Sequence, residues 1–321
     1  MNLLITGGAG FIGTNFLKIV KKKRGRKLMI VMDSLTYAAN YDELKQDVYD
    51  HPKIKFTNVD IRDARYVEAT FEKYGITHVM NLATEAYVGD SLSFIETNVL
   101  GTANLLNASK KYGVERFHHV STASVFGGQE DKKKEKFTEI TPYNPIKPYS
   151  ASKASADHLV QSYHHAYELP VTVSYCSSNY GPWQSEEKLI PKVITSIFER
   201  KKIPIYGEGL NVRDWLYVED HCEALWSILT KGKIGESYMI SSNCEKRNLD
   251  VVNDICDLLK VDPSDCLDFV CDKEGHSFRY SLSSTKIQKE LRWKPRVSFE
   301  KGIARTITHY KNKYDTEFRD L

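Results

Sequence analysis

The chain has 321 residues, 41% of them hydrophobic, which is enough to bury a substantial core across about two domains. A disordered, collagen-like or disulfide-scaffolded chain is thereby excluded. With 45 Lys and Arg against 42 Asp and Glu, the balance of +3 gives no general attraction to nucleic acid or to an anionic membrane.

Apolar runs are short, as at Leu28 to Met32, against the roughly 20 residues that span a bilayer. No basic region precedes an apolar stretch at the N-terminus, so a cytosolic protein is expected. Cys176, Cys222, Cys244, Cys256, Cys266 and Cys271 show neither C-x-x-C spacing nor paired histidines, which reads as free thiols and no metal.

Up to Cys176 the chain alternates β-rich runs with helical patterns, the signature of a parallel sheet covered on both faces. Strands are expected at Leu3 to Thr6, Leu28 to Asp33, Ile54 to Asp60, His78 to Ala83, Arg116 to Ser121 and Val171 to Cys176. Helical periods run over Phe11 to Val20, Ala64 to Tyr74, Phe94 to Tyr112 and Tyr149 to Tyr167. This is a doubly wound α/β fold of Rossmann type, with residues 1–176 as a dinucleotide-binding domain to which 212–235 return. After Cys176, Asn179-Tyr180-Gly181-Pro182, Pro191, Pro204 and Gly207-Glu208-Gly209 break the alternation. A second, smaller α/β lobe is expected from 177–211 and 236–321. In it Val251, Val252, Ile255, Leu258 and Leu259 make the apolar stripe of a helix from Asn248 to Lys260.

Gly7-Gly8-Ala9-Gly10-Phe11-Ile12-Gly13 follows the first strand directly and opens a helix. In that context Gly7 permits a tight turn, Gly10 lets backbone approach a pyrophosphate, and Gly13 lets helix and strand pack closely. The helix N-terminus offers unpaired N–H groups to phosphate. Asp33 ends the second strand about 20 residues later, where a carboxylate accepts hydrogen bonds from an adenosine ribose and repels a 2′-phosphate. NAD is therefore favoured over NADP. Asp60-Ile61, after the third strand, are placed to flank the adenine.

Tyr149 and Lys153 are four residues apart and share one helix face. An ammonium beside a phenol favours the phenolate, as a base for a sugar hydroxyl requires. The same spacing occurs at Tyr41, Tyr49 and Tyr143, but Pro52 and Pro145 interrupt two of these, and Tyr41 lies in an acidic stretch away from the sheet mouth. Tyr149 instead opens a long helix after the fifth strand, whose end carries Ser121-Thr122, and ligands in such sheets bind at the carboxyl ends of strands.

Along nearly its whole length the sequence resembles the extended short-chain dehydrogenase/reductases that act on nucleotide sugars, and among them the dTDP-glucose 4,6-dehydratases. The resemblance rests on Thr6 to Gly13, Asp33 to Asn40, Glu96-Thr97-Asn98, Pro148 to Lys153, Asn179 to Pro182, Lys188 to Pro191, Arg213 to Asp220 and Trp293-Lys294-Pro295. It implies Thr122, Tyr149 and Lys153 as hydroxyl, base and base-tuning cation, with Ala83 and Asn98 beside the nicotinamide. It also implies Tyr87, Asn179, Lys188, Leu189, Tyr206, Arg213, Asn248 and Arg279 as contacts to a nucleoside-diphosphate sugar, and a homodimer formed through a helical face of the first domain. Arginine suits the diphosphate because its planar fork binds phosphate oxygens bidentately.

The resemblance breaks at two points. The dehydratases carry Thr-Asp-Glu after the fifth strand, an acid for the C6 hydroxyl and a base for C5, whereas this chain has Thr122-Ala123-Ser124. The pocket segment also differs, with Tyr87, Gly89 and Asp90 where histidine, aspartate and arginine are usual. Oxidation at C4 needs only Tyr149 and NAD, and the resulting ketone acidifies C5–H. Elimination across C5 and C6 then calls on Glu85, Asp90 or Tyr149 as base with Ser124 nearby, giving a 4,6- or 5,6-dehydratase acting on UDP-N-acetylglucosamine or dTDP-glucose. A 4-epimerase, whose loop Ser121 to Gly127 resembles, and a non-catalytic NAD and nucleotide-sugar sensor are the alternatives.

Overall fold

The computed structural model describes residues 1–25, 27–86, 91–130, 135–272 and 275–317. β1 (Asn2–Thr6) runs into the glycine turn that ends where α1 (Phe11–Val20) begins. β2 (Leu28–Asp33), α2 (Tyr41–Asp50), β3 (Ile54–Asn58), α3 (Ala64–Tyr74) and β4 (His78–Asn81) complete the first half of the alternation. Next come α4 (Ser91–Phe94), a π-helical stretch Ile95–Gly101, α5 (Thr102–Lys111), β5 (Arg116–Thr122), a 3₁₀ turn Ala123–Phe126, α6 (Pro148–Tyr167) and β6 (Val171–Cys176). The remainder comprises β7 (Ser178–Tyr180), α7 (Leu189–Phe198), β8 (Ile203–Tyr206), β9 (Val212–Tyr217), α8 (Val218–Lys231) and β10 (Ser237–Ile240). After these run β11 (Glu245–Arg247), α9 (Asn248–Leu259), α10 (Pro263–Cys266), β12 (Leu267–Val270), β13 (Arg279–Tyr280), α11 (Thr285–Leu291) and α12 (Phe299–Glu317).

Seven strands form one parallel sheet in the order β10-β6-β5-β4-β1-β2-β3. The strand order reverses between β1 and β4, which leaves a crevice at their carboxyl ends. Both faces are covered, so β1, β2 and β4 are buried almost end to end, while β5 and β6 bury polar side chains such as His118, His119, Thr172 and Ser174 among the apolar ones. One face packs Val67 and Phe71 of α3, Leu105 and Leu106 of α5 and Val160 of α6. The other packs Phe16 and Leu17 of α1, Leu225, Ile228 and Leu229 of α8, and Ile287 of α11. Burying each Phe or Leu fully contributes about 1.5–3 kcal/mol relative to exposure. Local signals fix several ends: the Asp63 carboxylate caps α3 by accepting from the N–H groups of Arg65 and Tyr66, and Gly75 closes it in the left-handed region at φ +55°. Pro148 occupies the first turn of α6, where its missing N–H costs nothing.

The smaller lobe is built on a four-stranded sheet in which β9 pairs with β11, β13 and β7, and on the β8–β12 pair. Its core is Val193 and Ile194 of α7, Val251, Val252 and Ile255 of α9, and Ile303 and Tyr310 of α12.

Three boundaries differ from the sequence expectation. β9 belongs to the smaller sheet, so the return to the first domain begins at α8 rather than at residue 212. It also runs beyond residue 235, because β10 becomes the edge strand beside β6 and α11 packs on β10 and α8. The helix expected over Phe94 to Tyr112 is divided, its first half being π-helical where Asn98 is drawn inward. Among the described residues no helix is long and apolar enough to cross a membrane, all six cysteines are free, and no three metal-binding side chains cluster.

Candidate active site

A cleft of about 340 Å³ opens at the reversal of strand order. Gly7, Gly10, Phe11, Ile12 and Gly13 form one wall, Asp33, Asp60 and Ile61 the end beyond β2 and β3, and Ala83, Thr84 and Glu85 the floor after β4. Gly7 sits at φ +61°, and a Cβ there would lie 2.8 Å from the backbone of Ala83. At Gly13 a Cβ would lie 2.3 Å from the Gly7 carbonyl oxygen and 2.6 Å from Gly8 Cα. The turn is thus drawn down to bare backbone, and α1 starts at Gly10 without any side chain over its N–H groups. This cradle fits the pyrophosphate of NAD.

Asp33 lies beneath the turn, its Oδ2 accepting from Ala9 N–H (2.9 Å) and its Oδ1 from Leu35 N–H (2.8 Å). Burial raises its pKa and those two hydrogen bonds oppose the rise. Each oxygen keeps a lone pair for a ribose hydroxyl. Asp60 is occupied by the Arg62 guanidinium, Oδ2 receiving Nη2 at 2.7 Å and Nε at 3.0 Å. Arg62 therefore joins the rim of the cleft, a residue that sequence reading passed over.

Asn98 stands on the π-helical stretch against the cleft floor. Its amide is buried and engaged with protein groups: Oδ1 accepts from Glu85 N–H (2.8 Å) and the Thr84 hydroxyl (3.0 Å). Its Nδ2 donates to the Glu85 carbonyl (3.0 Å) and Ser152 Oγ (2.9 Å). Asn98 thereby ties the cleft floor to α6 one residue before Lys153. Glu85 extends its carboxylate within 3.4 Å of the Tyr37 hydroxyl, and both residues line the cleft.

Tyr149 is partly buried beside Phe94, and Ser152 Oγ donates to its backbone carbonyl (2.8 Å). Burial pushes the Tyr149 phenol up, Cys176 adds to the rise, and Thr84 opposes it. Lys153, one helical turn further on, donates its ammonium to the Val120 carbonyl (2.9 Å) and lies 3.4 Å from His119 Nε2. Burial lowers the pKa of Lys153, while Asp157 and Cys176 raise it. Burial also pushes the Cys176 thiol up to about 11, so it is protonated at neutral pH. Thr122 Oγ1 accepts from Ser124 N–H (3.3 Å) and meets Ser124 Oγ at 3.3 Å, both hydroxyls lying at the start of the 3₁₀ turn. Tyr87 and Asp90 lie outside the described residues.

The far wall comes from the smaller lobe as Gln184, Ser185, Glu187 and Lys188. Only Lys188 was singled out from sequence; its neighbours precede the Lys188–Pro191 motif and were legible only by that adjacency. Asn15 and Asn40 of the first domain donate to the carbonyls of Pro182 and Trp183, both at 3.0 Å. Asn179 stands on β7 with a buried Oδ1 that has no hydrogen-bond partner, and Leu189 opens α7.

A second group of expected contacts gathers around β9. Arg213 does not pair with Asp214, which is held instead by Ser241, Ser242 and the N–H of Cys244. Its guanidinium donates to the carbonyls of Val212 (2.8 Å), Ser277 (3.0 Å) and Phe278 (3.1 Å) and stacks over Tyr280. Arg279 is clamped by the Glu245 carboxylate at 2.6 and 3.0 Å, so its fork is shared with a protein anion. Tyr206 is partly exposed at the end of β8, and the first residue of α9, Asn248, donates its N–H to the Asn211 carbonyl (2.9 Å).

Comparison with known proteins agrees with this geometry. Residues 4–306 match the GDP-mannose 4,6 dehydratase family. The chain is 44% identical to a dTDP-glucose 4,6-dehydratase of Haemophilus influenzae across 97% of this chain and 98% of that one. It is 43% identical to another of Escherichia coli, covering 97% and 92%. The structure of a dTDP-glucose 4,6-dehydratase from Streptomyces venezuelae with NAD bound superposes with a TM-score of 0.93 at 38% identity over 98% of each chain. A UDP-glucose 4-epimerase from Thermotoga maritima superposes at 0.90 with 26% identity over 98% of this chain and 100% of that one. The chain belongs to the GDP-mannose 4,6-dehydratase family, within the extended short-chain dehydrogenase/reductases.

Proposed function

We propose that this protein is an NAD-dependent nucleotide-sugar dehydratase that oxidises C4 of the sugar transiently and eliminates water across C5 and C6. The observation that carries the reading is one cleft whose phosphate-cradling turn faces a floor, Thr84 and Glu85, that Asn98 ties to Ser152 in the helical turn between Tyr149 and Lys153. NAD, when bound, supplies the hydride acceptor and later the donor. Everything else falls to the chain.

Tyr149 takes the O4 proton, with the buried Lys153 ammonium stabilising the phenolate and Thr122 binding the oxygen that becomes the ketone. The new carbonyl acidifies C5–H. Glu85, on the cleft floor after β4 with its backbone fixed on both sides by Asn98, takes the C5 proton. Ser124 holds the departing C6 hydroxyl as a hydrogen-bond partner, and the proton that lets it leave as water is the one Tyr149 took from O4, because neither Ala123 nor Ser124 is an acid near neutral pH. Asn179, Lys188, Leu189, Tyr206, Arg213, Asn248 and Arg279 bind the nucleoside diphosphate. dTDP-glucose is the first candidate substrate, by likeness to the curated relatives, and UDP-N-acetylglucosamine the second. The apolar side chains Leu92, Ile95 and Leu100, each more than half exposed on one helical stretch, make the face for a homodimer.

Incubation with dTDP-glucose, UDP-glucose and UDP-N-acetylglucosamine, followed by NMR of C4, C5 and C6, tests the reading. A new methyl group or exocyclic methylene supports it. Inversion at C4 alone would assign a 4-epimerase, as the carboxylate-free 3₁₀ turn permits, and unchanged spectra with tight binding would assign a sensor. Tyr149→Phe is expected to abolish turnover while retaining NAD; full activity in that variant would refute the mechanism.

A further inference from the structure

Behind Lys153, on the side of α6 away from the cleft, lies a polar cluster that the reaction as derived does not use. Asp157 is one helical turn after Lys153 and fully buried. Its Oδ2 accepts from Ser121 Oγ at 2.6 Å, and its Oδ1 lies 3.4 Å from His119 Nε2. The same imidazole nitrogen is 3.4 Å from Lys153 Nζ. The other face of the ring is fixed: Thr6 donates to Asn81 Oδ1 (2.7 Å), which leaves Asn81 Nδ2 to donate to His119 Nδ1 (3.0 Å). That network places the ring proton on Nε2, towards Asp157.

The charges in this region are few. From β5 come His119 and its neighbour His118, both held neutral by burial. From β6 come Tyr175 and Cys176, and from the loop before α6 come Glu139 and Tyr143, whose hydroxyl bonds that of Tyr175. α6 itself supplies Tyr149, Lys153 and Asp157. Lys153 and Asp157 are thus a buried cation and a buried anion spanned by one neutral imidazole. A buried carboxylate lacking a compensating cation is expensive, and a buried ammonium equally so.

We propose that Asp157 is a positioning residue, the buried counter-charge that keeps the Lys153 ammonium charged and aligned beneath the Tyr149 base. This rests on the assignment of Tyr149 and Lys153 made above, and it explains why an acidic side chain is kept where the sheet and helix are otherwise apolar or neutral. An acid on α6 that never touches the sugar then influences the base through two intervening groups.

Two measurements test the proposal. The first is thermal stability of Lys153→Met, Asp157→Asn and the double variant. Lys153→Met strands the carboxylate and is expected to lower Tm by on the order of 5–10 °C, and adding Asp157→Asn is expected to recover most of that loss. Additive losses, or a double variant that does not fold, would overturn the pairing. The second is the pH profile of kcat with dTDP-glucose. Removing a negative charge lowers the pKa of each neighbour, so both limbs of the profile are expected to move towards acid by about one pH unit in Asp157→Asn. Asp157→Glu, which keeps the charge, is expected to leave the limbs in place. A profile reduced in height but unmoved would assign Asp157 a packing role only. Should Tyr149→Phe retain turnover, the assignment of the base fails, and the stability cycle still decides the pairing.

Discussion

Among the described residues His118, His119 and His221 are wholly buried in neutral form, and acid should unfold this protein through them. Burial lowers the pKa of His118 and His221 to about 3 and that of His119 to about 4, where the Lys153 ammonium adds to the fall and Asp157 opposes it. In the unfolded chain each titrates near 6.5. Because the folded values lie below the unfolded ones, between pH 6.5 and about 4 the unfolded state binds more protons, and stability falls as pH falls. At pH 5 an unfolded imidazole is almost fully protonated, which favours unfolding by about 2 kcal/mol per histidine relative to pH 7.5, or about 6 kcal/mol for three. That is a large fraction of a typical 5–15 kcal/mol stability. Asp33 and Asp220, whose carboxyls burial raises, act in the opposite direction, so the discriminating comparison is a variant that removes one histidine. His221 suits it, since both ring nitrogens are buried without hydrogen-bond partners and leucine would orphan nothing. Urea unfolding followed by tryptophan fluorescence at pH 7.5 and 5.0 is expected to show a loss of about 6 kcal/mol in the native sequence and about 4 kcal/mol in His221→Leu. Equal losses in the two proteins, or a midpoint indifferent to pH, would refute the reasoning.

The glycine turn separates two substitutions that look alike. Gly13→Ala should gain up to about 1 kcal/mol of helix propensity but place Cβ 2.3 Å from the Gly7 oxygen, so overpacking wins and the loss is about 2–3 kcal/mol with NAD binding abolished. At Gly10 the nearest atom is 3.2 Å away, and alanine is expected to leave the urea midpoint nearly unchanged; calorimetry with NAD and unfolding curves for both variants check the contrast. Charging the exposed helical face with Ile95→Glu and Leu100→Glu is expected to convert a dimer to a monomer in sedimentation equilibrium, and an unchanged mass would remove that face from the proposal.

The first domain was largely legible because β1, β2, β4, β5 and β6 are almost wholly buried β-rich runs and its turns carry glycine at positions where a Cβ would collide with backbone. What escaped reading had weak local signals. α2 buries only Leu44, so no apolar stripe announces it, and it carries the Tyr41 and Lys45 pair on an exposed helix after all. β10 is four residues long and becomes a strand by pairing with β6 at the sheet edge. β9 reads equally well as part of either sheet; its place is decided by partners distant in sequence at Glu245–Arg247 and Arg279–Tyr280. In the site, the glycine turn, Asp33, Tyr149 and Lys153 followed from spacing. The engagement of Asn98 with Glu85 and Ser152, and of His119 with both Lys153 and Asp157, joins residues from different strands and helices, and no periodicity encodes it.

The wall of the cleft formed by residues 184–188 has a kinetic corollary. The carbonyls of Pro182 and Trp183 are held by Asn15 and Asn40, Trp183 lies under the Lys18 ammonium, and the Gln184 carbonyl is held by Tyr310 of α12. Swinging the lobes apart breaks the Asn15, Asn40 and Lys18 contacts together, while the Tyr310 bond moves with its own lobe. Under the proposed reaction a dinucleotide ends each cycle in the oxidation state in which it began, so turnover does not require this wall to open for cofactor exchange.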